Sequence, residues 1–450
     1  MFHSASESKI ILQNWWYTTL LNAKTSFCEP LKGAVSCDVL VVGAGMAGLH
    51  AALRLAEAGK KVVLIERNIC GGSSTGKSAG FLTPDSELEL HQLVRRYGAK
   101  DAKVVWGMAS EGIELIVGNI KRFGIECDLL VQDSLFLGIG RSGLRAVREE
   151  EKFRRQVGFP SEVYVGESLR AFNPGHGYTA GIRYKDTYGI NPLLYAQGLK
   201  KVLLEKGVAI YEGTPIVGIS GHTAKTHMGS VDAQNIILCV DKLPSSLSMY
   251  ADQVYHAQTF LSISEPLDEW EITQLFPGGQ FMCWDSKLVY SYYRLTGDRR
   301  LLLGGGSAIT TFLPTDVTTP VVIGSVIREF KRRFPFLAEH EFIQYWPGRI
   351  DTTKDLVPIV DSDPASPFVQ YVLGCVVLPW ATFCGDYAAR RILDPALNTH
   401  GKYLRVNRQF LIPRWVQKIA GKMLTFSFNN FYSKYLQRDV RETAGVDVVS

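Results

Sequence analysis

Four apolar residues, Val39 to Val42, run directly into Gly43-Ala44-Gly45-Met46-Ala47-Gly48. A helical rhythm of apolar positions follows, closed by Gly59, and a second apolar run, Val62 to Ile65, ends on Glu66. Short apolar runs bounded by glycine predict buried strands, and the period of about 3.6 residues between them predicts a crossover helix. Residues 38–66 therefore predict a complete βαβ unit. Directly behind it, residues 71–80 form a loop of small and polar residues. Leu88, Leu90, Leu93 and Val94, then Ile113, Leu115, Ile116 and Ile120, recur at helical spacing and predict helix over 86–123. Residues 125–185 alternate strand-like and charged helical pieces, with Arg145 to Arg155 expected as a solvated helix face. Asn191-Pro192 starts a helix that runs through Glu205 and stops at Gly207, and strands follow at Val208–Tyr211, Ile216–Ser220 and Asn235–Val240. Residues 251–344 are strand-rich and end in a helix at 320–333. A strand at Gln370–Leu373, then Gly374 and a helix from Thr382 to Leu393, restore the βα pattern.

The turn at the end of the first strand carries the first chemical signal. Gly43 permits the tight turn, Gly45 lets backbone approach a pyrophosphate, and Gly48 lets helix and strand pack closely. The helix start, with Ala44, Met46 and Ala47, offers N–H groups and a positive dipole end to phosphates. Glu66, followed by Arg67, falls where a carboxylate accepts hydrogen bonds from a ribose 2′-hydroxyl. This unit alone leaves a nicotinamide dehydrogenase and a flavoprotein both open.

Composition narrows the field. The 450 residues allow two or three domains, and a net charge of +5 is too modest for a nucleic-acid footprint. Eight cysteines show no CxxC pair, and nine histidines show no HxxxH, so no metal site is expected. Cysteines within apolar runs suit reduced thiols in a cytoplasmic protein. The apolar stretch near the N-terminus is too short for a signal-peptide core, and no apolar segment reaches the length of a spanning helix.

The later motifs give the chain a family likeness. Ser74-Thr75-Gly76-Lys77-Ser78-Ala79-Gly80, the Tyr188–Pro192 and Gly213–Ile216 stretches, Tyr290–Thr296 leading to Gly304-Gly305-Gly306, Trp346–Pro358 and Gly374–Gly385 occur in the order found in the D-amino-acid-oxidase-like superfamily of flavin-dependent oxidoreductases. Within it the chain resembles the gamma-glutamylputrescine oxidase and glycine/sarcosine oxidase branch, including the aromatic arm Trp15-Trp16-Tyr17. The resemblance implies non-covalent FAD. It places Ser74, Thr75, Gly76, Lys77, Ser78 and Ala79 beside the flavin, the Ile216 backbone at the adenine, and Gly348, Gly374, Leu378, Pro379, Trp380, Ala381 and Thr382 around the flavin ring. Val240-Asp241 replaces the family's small turn and argues against direct flavin contact there. Leu378-Pro379-Trp380 narrows a loop that is usually glycine-rich.

On this likeness the expected fold is α/β (α+β overall). A discontinuous Rossmann-like FAD-binding domain comprises residues 37–124, 186–250 and 345–395. A mixed or antiparallel substrate domain is inserted at 125–185 and 251–344, with an N-terminal arm at 1–36 and a basic aromatic helical tail at 396–450. The implied reaction is oxidation of a C–N bond in an amine or amino acid to an imine, with hydride passing to flavin N5 and electrons then to oxygen or a carrier. The alternatives are a membrane-docked dehydrogenase passing electrons to quinone, and an FAD-binding interaction protein without turnover.

Arg294 is the candidate to hold a substrate carboxylate, because a guanidinium grips it at two points. Tyr292 and Tyr293 beside it point to opposite faces of a strand. Lys77, Lys287 and Lys354 are candidate cations near a reduced flavin. His176 and His256 are candidate bases, Trp346 and Trp380 candidate walls, and Cys70 and Cys375 lie near the loops where covalent attachment would occur. From Lys402 to Arg441 nine Lys/Arg stand against one acid, Asp439, with aromatic residues interleaved. Such a segment either packs on the domains or lies in a membrane interface on the cytoplasmic face.

Overall fold

The computed structural model of the chain describes residues 10–408 and 414–432, apart from 24, 86, 243–246, 248, 249, 308, 309, 312 and 314. Strand Gly33–Val42 is the spine of an eight-stranded sheet. It pairs in parallel with Val62–Ile65 on one side and Gly229–Leu238 on the other. Ala209–Tyr211 extends the parallel arrangement beyond Val62–Ile65, and Val369–Leu373 does so beside residues 236–238. The unbroken apolar runs are explained by burial on both faces. Val39, Val41, Val62 and Leu64 join a core under the helices, while Leu40, Val42, Val63 and Ile65 join a second core on the opposite face.

A nine-stranded sheet stands apart from the first. Its order is Ile11–Leu12, Phe342–Thr353, Val254–Pro266, Arg300–Gly305, Tyr292–Leu295, Phe281–Asp285, Asp133–Ile139, Tyr178–Tyr184 and Glu162–Val165. Most of its pairs are antiparallel, and helix Val321–Arg333 packs into its apolar face. A mixed α/β architecture of this kind was expected. Three local features differ from expectation. The long helix begins at Leu90, where Glu89 and Gln92 form a capping box, and breaks at Gly98, whose φ is +77°. The helix expected from Thr382 starts at Leu378 instead, because Pro379 suits the first helical turn. Helix Gly140–Val157 is not wholly solvated: Glu150 and Arg154 turn inward, and Glu150 accepts hydrogen bonds from the His91 backbone (2.8 Å) and ring (2.9 Å).

The start of the tail packs on the body. Lys402 pairs with Asp101, and Arg408 grips the buried Asp355 carboxylate at 2.7 Å through both Nε and Nη2, with Arg96 on the same carboxylate. Among the described residues no helix is long and apolar enough to cross a membrane.

Candidate functional site

The glycine turn is built by close approach. Gly43 has φ +94°, and a Cβ there would sit 2.3 Å from the Cys239 carbonyl oxygen; a Cβ on Gly48 would lie 1.8 Å from the Gly43 oxygen. Only glycine fits either position. Glu66 closes the turn from the next strand, one carboxylate oxygen accepting from the Ala44 N–H (2.9 Å) and the other from the Asn68 N–H (2.9 Å). Burial raises the Glu66 carboxyl above its usual range, against the pull of those two bonds. The Met46 N–H, at the helix start, donates to the Thr75 hydroxyl (3.1 Å), which joins the loop at 71–80 to the turn.

That loop is held by its carbonyls. Tyr17 donates to Gly72 (2.7 Å), Asn14 to Gly76 (2.6 Å), Trp346 to Lys77 (3.1 Å), Trp16 to Ser78 (2.8 Å) and Arg294 to Ala79 (2.7 Å). In a trans peptide the N–H points opposite the carbonyl. The N–H groups of Ala79 and Gly80 therefore face away from the donors to the Ser78 and Ala79 carbonyls, and both residues line a cavity of about 440 Å³.

The cavity runs from the glycine turn to the nine-stranded sheet. Gly43, Gly45, Met46, Ala47, Glu66 and Arg67 line its first part, followed by Ser74, Thr75, Lys77, Ser78 and Ala79. Ile216, Gly348, Gly374, Leu378 and Ala381 close its sides. The other expected cofactor residues do not reach the wall. Ala44 accepts from the Gly71 N–H, Gly48 and Gly76 are packed against backbone, and Pro379, Trp380 and Thr382 are buried within the helix packing. Val240 and Asp241 do line the cavity, Val240 lying against the glycine turn, and Asp241 is raised by burial and by Asp351.

The sequence profile of the family described as "DAO: FAD dependent oxidoreductase" matches residues 38–391. The chain belongs to this family. It is 29% identical to gamma-glutamylputrescine oxidoreductase of Escherichia coli over 76% of this chain and 80% of that protein. It is 27% identical to the probable oxidoreductase OrdL of Haemophilus influenzae over 73% and 76%. Glycine oxidase from Geobacillus kaustophilus has the same fold, with a TM-score of 0.71 at 15% identity over 83% of this chain and all of that one. Membership makes the chain an FAD-dependent oxidoreductase, and the glycine cradle fits the diphosphate of that cofactor.

Relative to the family expectation, the far end of the cavity holds the surprises. Arg294 is buried and does not face the cavity. Besides Ala79, its guanidinium donates to the carbonyls of Leu295 (3.0 Å) and Ile190 (2.5 Å), and burial lowers its pKa to about 10. It braces the loop at 71–80 and does not face the cavity where a substrate carboxylate would lie. Tyr292 does face the cavity, lying across Gly304, where a Cβ would meet its ring at 2.2 Å. Burial raises its hydroxyl to about 12, and Thr259 is its hydrogen-bond partner. Tyr293 turns into the opposite core and accepts from Asn173 (2.6 Å).

Sequence reasoning passed over Asp85, Glu87, Trp284, Tyr290 and Thr311, all on this part of the wall. Glu87 has φ +69°, and its carboxylate accepts from the Tyr290 hydroxyl (2.6 Å). The Thr311 hydroxyl is buried with no partner among the described residues. Lys77 is lowered by burial and by Lys242, with Arg67 and Asp316 also within reach, and Asp316 pairs with Arg349. Arg67, Lys77, Lys242 and Arg349 line the wall together with the acids Glu66 and Asp241, whereas Asp85 and Glu87 both act on Tyr290.

The remaining candidates lie elsewhere. His256 pairs with Asp351 (2.7 Å), Lys287 pairs with Glu329, and neither these nor His176 and Lys354 line the cavity. Cys70 is buried behind the loop, while Cys375 reaches the cavity wall. Phe426 of the tail also lines the cavity, stacked on Tyr255 with ring centroids 5.2 Å apart.

Proposed function

We propose that the chain oxidises the C–N bond of an amine whose far end carries a second positive charge. The two carboxylates set among aromatic rings carry this reading. Asp85 and Glu87, among Phe81, Trp284, Tyr290 and Tyr292, complement an ammonium. An aromatic wall adds about 0.5–2 kcal/mol for a cation over a ring face. An amine must be neutral to give up hydride, so the carboxylates suit a distal ammonium better than the reacting nitrogen. The E. coli relative's name contains a putrescine unit, which fits an extended amine.

Bound FAD supplies the two-electron acceptor and returns the electrons to oxygen or a carrier. The chain's own part is to hold and orient. The glycine turn and Glu66 seat the adenosine end, the braced loop at 71–80 runs beside the flavin, and Lys77 contributes positive charge there. Tyr292 and Trp284 press the substrate against the ring, and the imine product hydrolyses in water. Attachment is non-covalent in this reading, so acid precipitation should leave the flavin in the supernatant.

Anaerobic mixing of the flavin-loaded protein with diamines, N-acylated diamines, monoamines and amino acids tests the assignment. Amines with a second ammonium should bleach the oxidised flavin band fastest. Bleaching by simple amino acids but by no diamine would overturn it.

A further inference from the structure

The two tail helices, Arg414–Ala420 and Lys422–Phe431, are amphipathic in the inverse sense. Among the described side chains their inward face is largely polar. Gln417 accepts from the Tyr255 hydroxyl (2.5 Å) and donates to the Asp252 carbonyl (2.9 Å), and Thr425 and Asn429 are buried beside Phe426. Lys422 donates to the Ala251 carbonyl (2.6 Å), fastening the second helix to the body. The outward face is apolar: Ile419 is 80% exposed, Leu424 68%, Phe428 49% and Phe431 43%. An ordinary surface helix shows the opposite arrangement, and grouped apolar exposure of this kind marks a contact surface.

We propose that this face docks the protein on a membrane surface rich in anionic lipid. Charge selects the occupant. Lys418 is exposed next to Ile419, and Lys434, Arg438 and Arg441 follow in sequence against one acid, Asp439, whereas Lys402, Arg408 and Lys422 of the same segment are engaged by the body. A basic segment with apolar and aromatic side chains lies in the lipid interface, its cations against the headgroups. Helices of seven and ten residues are too short to span a bilayer, so they lie along its surface. Phe426 then ties the docked helix to the cavity wall from its other side. This assignment is independent of the substrate proposed above.

Flotation of the flavin-loaded full chain with vesicles tests it. The protein should float with phosphatidylglycerol–phosphatidylcholine vesicles, float less with pure phosphatidylcholine, and be partly released by salt. Ile419→Ser, Leu424→Ser and Phe428→Ser combined should lower partitioning about ten-fold or more, with flavin absorbance and melting unchanged. Leu424→Ser alone serves if the triple variant does not fold. Absence of flotation on anionic vesicles, equal flotation on neutral ones, or flotation undiminished in the variants would each overturn the proposal. A wild-type dimer that does not float and that the substitutions dissociate would assign the face to a second copy instead.

Discussion

The glycine turn at residues 43–48 and the corner formed by Asp85, Glu87, Tyr290 and Tyr292 lie along one cavity, yet they are made differently. The turn recognises with backbone, and its shape follows from five consecutive peptide units and the missing Cβ atoms of Gly43 and Gly48. The corner is made of side chains brought together from positions more than 200 residues apart, such as Glu87 and Tyr290. A backbone site tolerates no change of shape but is indifferent to neighbouring side chains. A side-chain site can be retuned one residue at a time, which suits the end of a cavity where relatives with one cofactor diverge in substrate.

The sharpest break should come at the turn. Gly48→Val places a side chain where even Cβ would collide with the Gly43 oxygen, and the purified protein should be colourless, with no flavin absorbance after incubation with FAD. Retention of flavin would show that the turn is more plastic than its geometry allows.

Next in size is the clamp that holds the start of the tail. Burial alone would raise Asp355, but Arg408 and Arg96 hold its carboxyl well below the ordinary range. Asp355→Asn leaves two buried guanidinium groups without their charge partner and should cost about 3–5 kcal/mol in denaturant unfolding at neutral pH. A depressed folded pKa means that this stabilisation is fully present above the unfolded value of about 3.9 and fades as pH falls toward the folded one. The gap between wild type and variant should therefore narrow only in strong acid.

Arg294 gives a more direct contrast between the ends. If it braces the loop at 71–80 through Ala79 and Ile190, Arg294→Met should cost about 2–3 kcal/mol of stability and weaken FAD binding. KM should then change by a similar factor for carboxylate-bearing and carboxylate-free substrates. A KM rise confined to carboxylates would restore Arg294 as a substrate anchor. The smallest effect belongs to the corner itself. Glu87→Gln should lower kcat/KM about ten-fold, or about 1.4 kcal/mol, for amines with a second ammonium, leave FAD affinity unchanged, and spare uncharged monoamines.

The same contrast explains what could be read in advance. The βαβ unit, Glu66 and the loop at 71–80 were legible because each is a run of neighbouring residues whose spacing dictates local shape. Arg294 was misassigned because a strand arginine beside a tyrosine looks alike whether its guanidinium meets a ligand or three carbonyls. Trp346 likewise proved to be a loop clamp, donating to Lys77. Glu87 carries no local signal, since its positive φ and its partner Tyr290 exist only once the chain is folded. In the tail, the count of charged and aromatic residues was visible, but which face each occupied was not.

By itself, then, the sequence determined the cofactor fold, because backbone recognition is encoded by glycine spacing and by apolar runs that must be buried on both sides of a sheet. Only the tertiary structure decided which side chains face the cavity, where Arg294 directs its donors, and which side of the tail helices is left apolar. Those outcomes depend on distant segments meeting, and residue type at one position does not report the company it will keep.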